Sequence, residues 1–512
     1  MFSRIRQTWV VKEPEQFFTT DHLQSDLKGR SVRGGAATLI SQVVQIGLRM
    51  VSTTVLARLL VPEDYGLIGM TVVVTRFILL FKEVGLSTAT IQSPRINHKQ
   101  VSTLFWINAV VGLGLALLTI ALSPAVAWFY SEPRVIGVML ALSINFLIGG
   151  FEVQHQALLR RQMRFLVISR NTVISTTVSV IAAVTAAVSG ASYWSLVAMM
   201  MAQSITGLVM AWLSCGWRPS MPDLNSGIGE MLRFGGNVTG FQTVNYFSRN
   251  LDNVLIGRFW GAQALGLYSK AYELLLLPIQ QINNPVSSVA LPALCRLQDN
   301  PDAYRRYYFK AIMLITALGM PIVCFFFAAT DQLVLLLLGE QWTEISPIFR
   351  YLAPAALVGT FNVASGWVYQ SLGRVDRQFR VGIVTSVINS LIFIISIRWG
   401  VVALAAAFGL TRPLMAVGTM SYCYRGTFLK ASDFVNSIYR QLLAALMAGL
   451  FCWLALEYAM KAVPLLLAIA VAMVLYGSVY FLGWLIMPNG RQELIGLLST
   501  LEAFKKKSDA PL

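Results

Sequence analysis

Long runs of apolar residues, broken by short polar or charged segments, dominate the chain. A helix needs roughly 20 mostly apolar residues to cross a bilayer. Such runs fall at 36–58, 66–91, 101–128, 134–152, 170–188, 193–214, 235–258, 266–292, 306–330, 345–370, 379–397, 400–423, 437–457 and 463–486. The pattern predicts an all-α polytopic membrane protein with about 14 transmembrane helices. The runs at 235–258 and 266–292 are polar enough for a simple hydropathy window to miss them. Residues 333–338 are too short to span and read as a buried or interfacial turn.

The basic residues orient these spans. With a cytoplasmic N-terminus, 28 of the 40 Lys and Arg fall in cytoplasmic segments, 5 on the opposite side and 7 inside spans. That asymmetry is what the positive-inside rule requires, and one miscounted span would reverse every later loop. Both termini are then expected in the cytoplasm of a cell inner membrane. Composition agrees. Only 12% of the 512 residues are charged and 56% are hydrophobic. A water-facing surface needs about twice as many charges, so a large soluble enzyme or a nucleic-acid-binding domain is excluded. The net charge of +16 is read as basic loops facing anionic lipid. Residues 1–34 lack the apolar core of a cleaved signal peptide and read either as a basic tail or as an interfacial helix with Phe17, Phe18, Leu23 and Leu27 on one face.

The chain matches itself at a shift of 200 residues. Over 33–91 and 233–291 the identities include Arg33/Arg233, Gln42/Gln242, Arg49/Arg249, Arg58/Arg258 and Gly66-Leu67/Gly266-Leu267. Both copies begin on the same side, so the repeat is parallel, with a pseudo-twofold axis along the membrane normal. The expected organisation is a tail at 1–34, an N-lobe at 35–215 (spans 1–6) and a linker at 216–234. A C-lobe at 235–424 (spans 7–12), two further spans at 425–487 and a basic tail at 488–512 follow.

Charges inside spans cost about 2.5–3.5 kcal/mol each if they face lipid. The basic ones are Arg49, Arg76, Lys82, Arg249, Lys270, Arg350 and Arg412; the acids are Glu83, Asp252 and Glu273. This excess of cations makes the seven basic residues candidates for binding an anionic substrate. The three acids are candidates for ion coupling or for charge pairing. Arg249 with Asp252, Lys270 with Glu273 and Arg76 with Glu83 each share a helix face, so structural pairing and a binding role both stand. Arg49 and Arg412 have no acid within a turn of their own helices, and Arg412 precedes the kink expected at Pro413. Arg350 lies near its span's outer end, within snorkelling range. The five scattered cysteines and three separated histidines suggest neither a disulfide framework nor a metal site, and no Walker A loop occurs. No cofactor is expected.

Two stretches carry a resemblance. One is Val-Leu-Ala-Arg-Leu-Leu-Val-Pro-Glu-Asp-Tyr-Gly at 55–66. The other begins Asp-Asn-Val-Leu-Ile-Gly-Arg at 252–258 and continues through Leu-Gly-Leu-Tyr-Ser-Lys-Ala-Tyr at 265–272. They resemble the polysaccharide-transporter branch of the multidrug/oligosaccharidyl-lipid/polysaccharide exporter superfamily, the Wzx-type flippases. The resemblance implies two six-helix lobes and alternating access. The implied substrate is an oligosaccharide repeat unit on undecaprenyl pyrophosphate, moved for exopolysaccharide, capsule or O-antigen synthesis. It also implies a polysaccharide polymerase and a chain-length regulator as partners. A cation-coupled drug exporter is the second reading, and its site should be acidic rather than basic. A membrane glycosyltransferase or polymerase is the third, and it would use a large outer loop that the spans here do not leave.

Overall fold

A computed structural model describes residues 27–80, 96–223 and 229–494, with isolated positions 18, 87, 90, 91, 93 and 496. Among these residues the chain is helical, without a β-strand. The helices are α1 (Leu27–Leu59), α2 (Pro62–Leu79), α3 (His98–Tyr130), α4 (Arg134–Arg161), α5 (Phe165–Val188), α6 (Trp194–Cys215) and α7 (Gly229–Arg296). They continue as α8 (Pro301–Ala328), α9 (Thr330–Leu337), α10 (Ile345–Ser371), α11 (Val375–Ser396), α12 (Val401–Tyr424), α13 (Ala431–Leu454) and α14 (Leu465–Ile486).

Local chemistry sets several boundaries. Pro62 opens α2, where a missing N–H costs nothing, and the Asp64 carboxylate accepts the Val61 N–H at 3.1 Å. Asn97 and Gln100 cap α3 reciprocally at 2.8 and 3.1 Å, a capping box. Asn300 accepts the Ala303 N–H at the start of α8. The 68-residue α7 is broken at Gly261, whose φ of 78° lies in the left-handed region that glycine enters without strain.

The outward faces are apolar. In α14, Ala468, Ala472, Tyr476, Tyr480 and Trp484 are buried at helical spacing, while Leu466, Leu467, Val474, Leu482 and Ile486 are exposed. Water would penalise such a stripe, and lipid does not. Small residues take the opposite role. Ala444, Ala445, Ala448 and Cys452 are fully buried on α13, which packs against α8 and α14.

Among the described residues, ten helices are long and apolar enough to cross a membrane. The expected spans at 66–91, 235–258, 266–292 and 345–370 fall outside that ten, so for these four the crossing rests on the sequence argument. Two of the four are the runs singled out above as polar. Residues 333–338, expected as a turn, belong mainly to the two-turn helix α9.

The chain divides into two units, residues 1–266 and 267–512. In the first, α3 packs on α4, α4 on α6, α5 on α6 and α1 on α5. In the second, α8 packs on α10, α10 on α12 and α11 on α12, with α13 and α14 added beside α8. Three helix pairs thus recur in the same order. Backbone geometry extends the repeat beyond the segment recognised by sequence. Met163, Gly190 and Gly216 have positive φ, and so do Gly373, Gly400 and Gly426, each 210 positions later. Each set marks the same three helix junctions. Arg164 and Arg374, the residues preceding α5 and α11, also correspond. Arg164 donates to the Ser214 carbonyl at 3.3 Å at the end of α6. Arg374 donates to the Arg425 carbonyl at 3.1 Å at the end of α12.

Candidate functional site

Arg49 sits in the apolar stretch of α1, ten residues before its end. Its side chain is exposed and joins no ion pair with another described residue. Arg76 is likewise exposed, in the last turn of α2. One turn earlier, the Val73 carbonyl accepts the Tyr246 hydroxyl of α7 at 2.5 Å. Phe77 meets the Tyr246 ring at 5.8 Å. These contacts bring the end of α2 alongside α7 at the turn that also carries Arg249. Lys82 and Glu83 lie outside the described residues, and so does the side chain of Arg249. Asp252, on the same stretch of α7, is buried, and its carboxylate accepts the Asn253 N–H at 2.8 Å.

In the second unit, Lys270 and Glu273 form the pair their spacing suggested, with Nζ to Oε2 at 3.1 Å. The burial is uneven: the lysine is 5% exposed and the glutamate 46%. Breaking a desolvated pair from one side is the costly change, most of all when the buried charge is the one that stays. Glu273→Gln is therefore expected to reduce the amount of folded protein in the membrane more than Lys270→Met does. Quantitative blotting of membranes checks this, and wild-type levels of both variants would show the pair to be dispensable. Arg350 is near the start of α10, and its guanidinium meets Asp331 of α9 at 2.6 Å. An acid from the neighbouring helix, hidden from any reading of span 10 alone, answers this charge. Arg412 is half-buried on α12 over the Phe408 ring, 5.4 Å from its centroid, an arrangement that favours a cation.

Two further arginines matter to the architecture. Arg161 is 5% exposed and donates to the carbonyls of Thr90, Ser93 and Phe18 at 3.1, 2.6 and 3.3 Å. It ties three separate chain segments together at the end of α4. On the other side, Arg134 bridges Glu132 and Glu63 at 2.8 and 2.5 Å. Its hydrogen bonds hold the Glu132 carboxyl below the ordinary glutamate value. Among the described residues no group of His, Cys, Asp and Glu is placed to hold a metal ion.

Apolar lipid-facing helices, cations within apolar stretches and an internally repeated helix order define a multi-pass membrane protein of transporter architecture. The solved structure of the lipid II flippase MurJ in an inward closed conformation has the same fold. The TM-score is 0.70 at 13% identity, covering 88% of this chain and 99% of that one. Residues 55–347 match the family described as polysaccharide biosynthesis protein, and the chain belongs to that family. It is 25% identical over 426 residues to the lipopolysaccharide biosynthesis protein WzxC of Escherichia coli K12, covering 82% of this chain and 85% of the relative. It is 26% identical over 362 residues to the teichuronic acid biosynthesis protein TuaB of Bacillus subtilis 168, covering 70% and 73%.

Proposed function

We propose that the protein is a transporter, not an enzyme, that flips lipid-linked oligosaccharide units across the inner membrane by alternating access, for assembly of a cell-surface polysaccharide. The observation that carries this reading is a polysaccharide-biosynthesis family member with a flippase fold and an excess of cations inside its apolar helices. A pyrophosphate-linked glycan is an anion, and an excess of cations would attract it. An exporter of organic cations would need the opposite balance. Arg49, Arg249 and Arg412 are the proposed pyrophosphate ligands, with Arg76, Lys82, Arg350 and Lys270 setting the surrounding potential. Glu83, Asp252 and Glu273 are the groups available for ion coupling or pairing. A polymerase and a chain-length regulator would receive the product.

Deleting the gene tests the reading. A flippase defect accumulates complete lipid-linked repeat units on the inner leaflet, whereas a transferase defect leaves truncated ones. Finding truncated units would sink the proposal. The orientation has its own test. An impermeant thiol reagent added to intact spheroplasts is expected to label a cysteine replacing Glu63 and to miss one replacing Asp299. The opposite pattern would overturn the proposed topology.

A further inference from the structure

Within the first unit, the start of α2 meets the part of α7 that follows its break, and the contact is reciprocal. A Cβ on Gly66 would land on the Ala262 carbonyl oxygen, and a Cβ on Gly266 would land on the Pro62 carbonyl oxygen. Pro62 and Ala262 are 200 residues apart, and so are Gly66 and Gly266, which is the shift of the sequence repeat. Residue i of one copy touches residue j of the other, and j of the first touches i of the second. That is the signature of a contact lying on a twofold axis. Beside it, Leu265 fills the space over Gly69, where a Cβ would stand 3.2 Å from the leucine Cδ2. The contact sits by Glu63 and Arg258, on the side opposite the basic loops.

We propose that Gly66 and Gly266 form the closing contact of the outer gate, made in the state described here and parted when the pathway opens outward. The inference rests on the transport reading above. Chemistry supports a contact that is made and broken. Two glycines let backbone lie directly on backbone. Neither glycine brings a charged side chain to the contact. A route opening outward along the pseudo-twofold axis would have to separate this reciprocal contact between the two copies.

The test is a reversible cross-link in native membranes. Four of the five cysteines are buried and Cys295 is exposed, so a Cys295→Ser chain is the background. Gly69→Cys and Leu265→Cys are introduced together and bridged with a short bis-thiosulfonate. The expected result is an efficient cross-link, loss of polysaccharide export with build-up of lipid-linked units, and recovery on reduction. Gly66→Ala or Gly266→Ala, added to the cysteine pair, is expected to lower the cross-link yield several-fold at an unchanged protein level. Normal export through cross-linked protein would overturn the proposal. So would failure of the pair to cross-link, or a yield unaffected by the alanines. If an alanine variant does not insert, the cross-link and export measurements on the Gly66, Gly266 chain decide. If gene deletion causes no build-up of lipid-linked units, the flippase reading fails by itself. The cross-link and its response to alanine still report on the contact.

Discussion

Arg49→Ala is expected to abolish polysaccharide export, and Arg49→Lys to retain part of it. Arg49 lies in an apolar stretch of α1, is exposed, and joins no ion pair with another described residue. A cation kept at such a position without a neighbouring acid carries a cost of about 2.5–3.5 kcal/mol, which a binding role would offset. Guanidinium offers two parallel donors to a phosphate, whereas lysine offers a point charge. Losing a desolvated charge contact of this kind costs about 2–5 kcal/mol, at least tenfold in rate. Arg412 is stabilised by Phe408, and Arg412→Ala is expected to lower export to a smaller extent. Arg249 and Asp252 share a helix face by their spacing, and the double change Arg249→Ala, Asp252→Ala, which removes both charges, is expected to fold better than Arg249→Ala and still not to transport. Export and lipid-linked intermediates are measured in variants expressed at the wild-type level. Normal export by both Arg49→Ala and Arg412→Ala would make these arginines structural and end the anion-cradle idea.

A marked loss of stability is expected from crowding the crossing of α3 and α4. Gly112 and Gly150 face each other's helices. A Cβ at Gly112 would stand 2.6 Å from the Phe146 carbonyl oxygen, and one at Gly150 would stand 2.6 Å from that of Asn108. Neither carbonyl can retreat without unwinding its own helix. Overpacking costs about 1–3 kcal/mol per site, and the two sites share one interface, so their effects are coupled. Gly112→Ala, Gly150→Ala is expected to lower the midpoint of thermal unfolding in detergent and the yield from membranes. Gly114→Ala is the control, because a Cβ there meets nothing within 4 Å. Equal stability of the double variant and the control would show that the helices separate freely at this crossing.

Much of the architecture was legible because lipid imposes a simple rule. Every backbone polar group must be bonded within its own segment, so an apolar run of sufficient length becomes a helix. Asn97, Asn300 and Pro62 set helix starts through equally local chemistry. The repeat was visible over 33–91 and 233–291 because arginine is uncommon among these spans, so Arg49/Arg249 and Arg58/Arg258 stood out. It faded beyond that segment because apolar helices exchange Leu, Val and Ile freely. The backbone kept what the side chains lost, in the positive φ values at 163, 190 and 216 and at 373, 400 and 426.

The candidate site divides along the same line. Hydropathy shows which charges are embedded in apolar stretches, and helical spacing brings residues three or four apart together, as in Lys270–Glu273 and Arg412 over Phe408. Packing between helices settles that Arg350 is answered by Asp331 and that Arg161 gathers carbonyls from two other segments. It also settles that Gly66 and Gly266, recognised as matching positions, belong to one reciprocal contact. Arg350–Asp331, Arg161 with its carbonyl partners and Gly66–Gly266 join residues far apart in the chain. Hydropathy and helical period describe one segment at a time, whereas partners across helices are chosen by packing, and packing is a property of the folded chain.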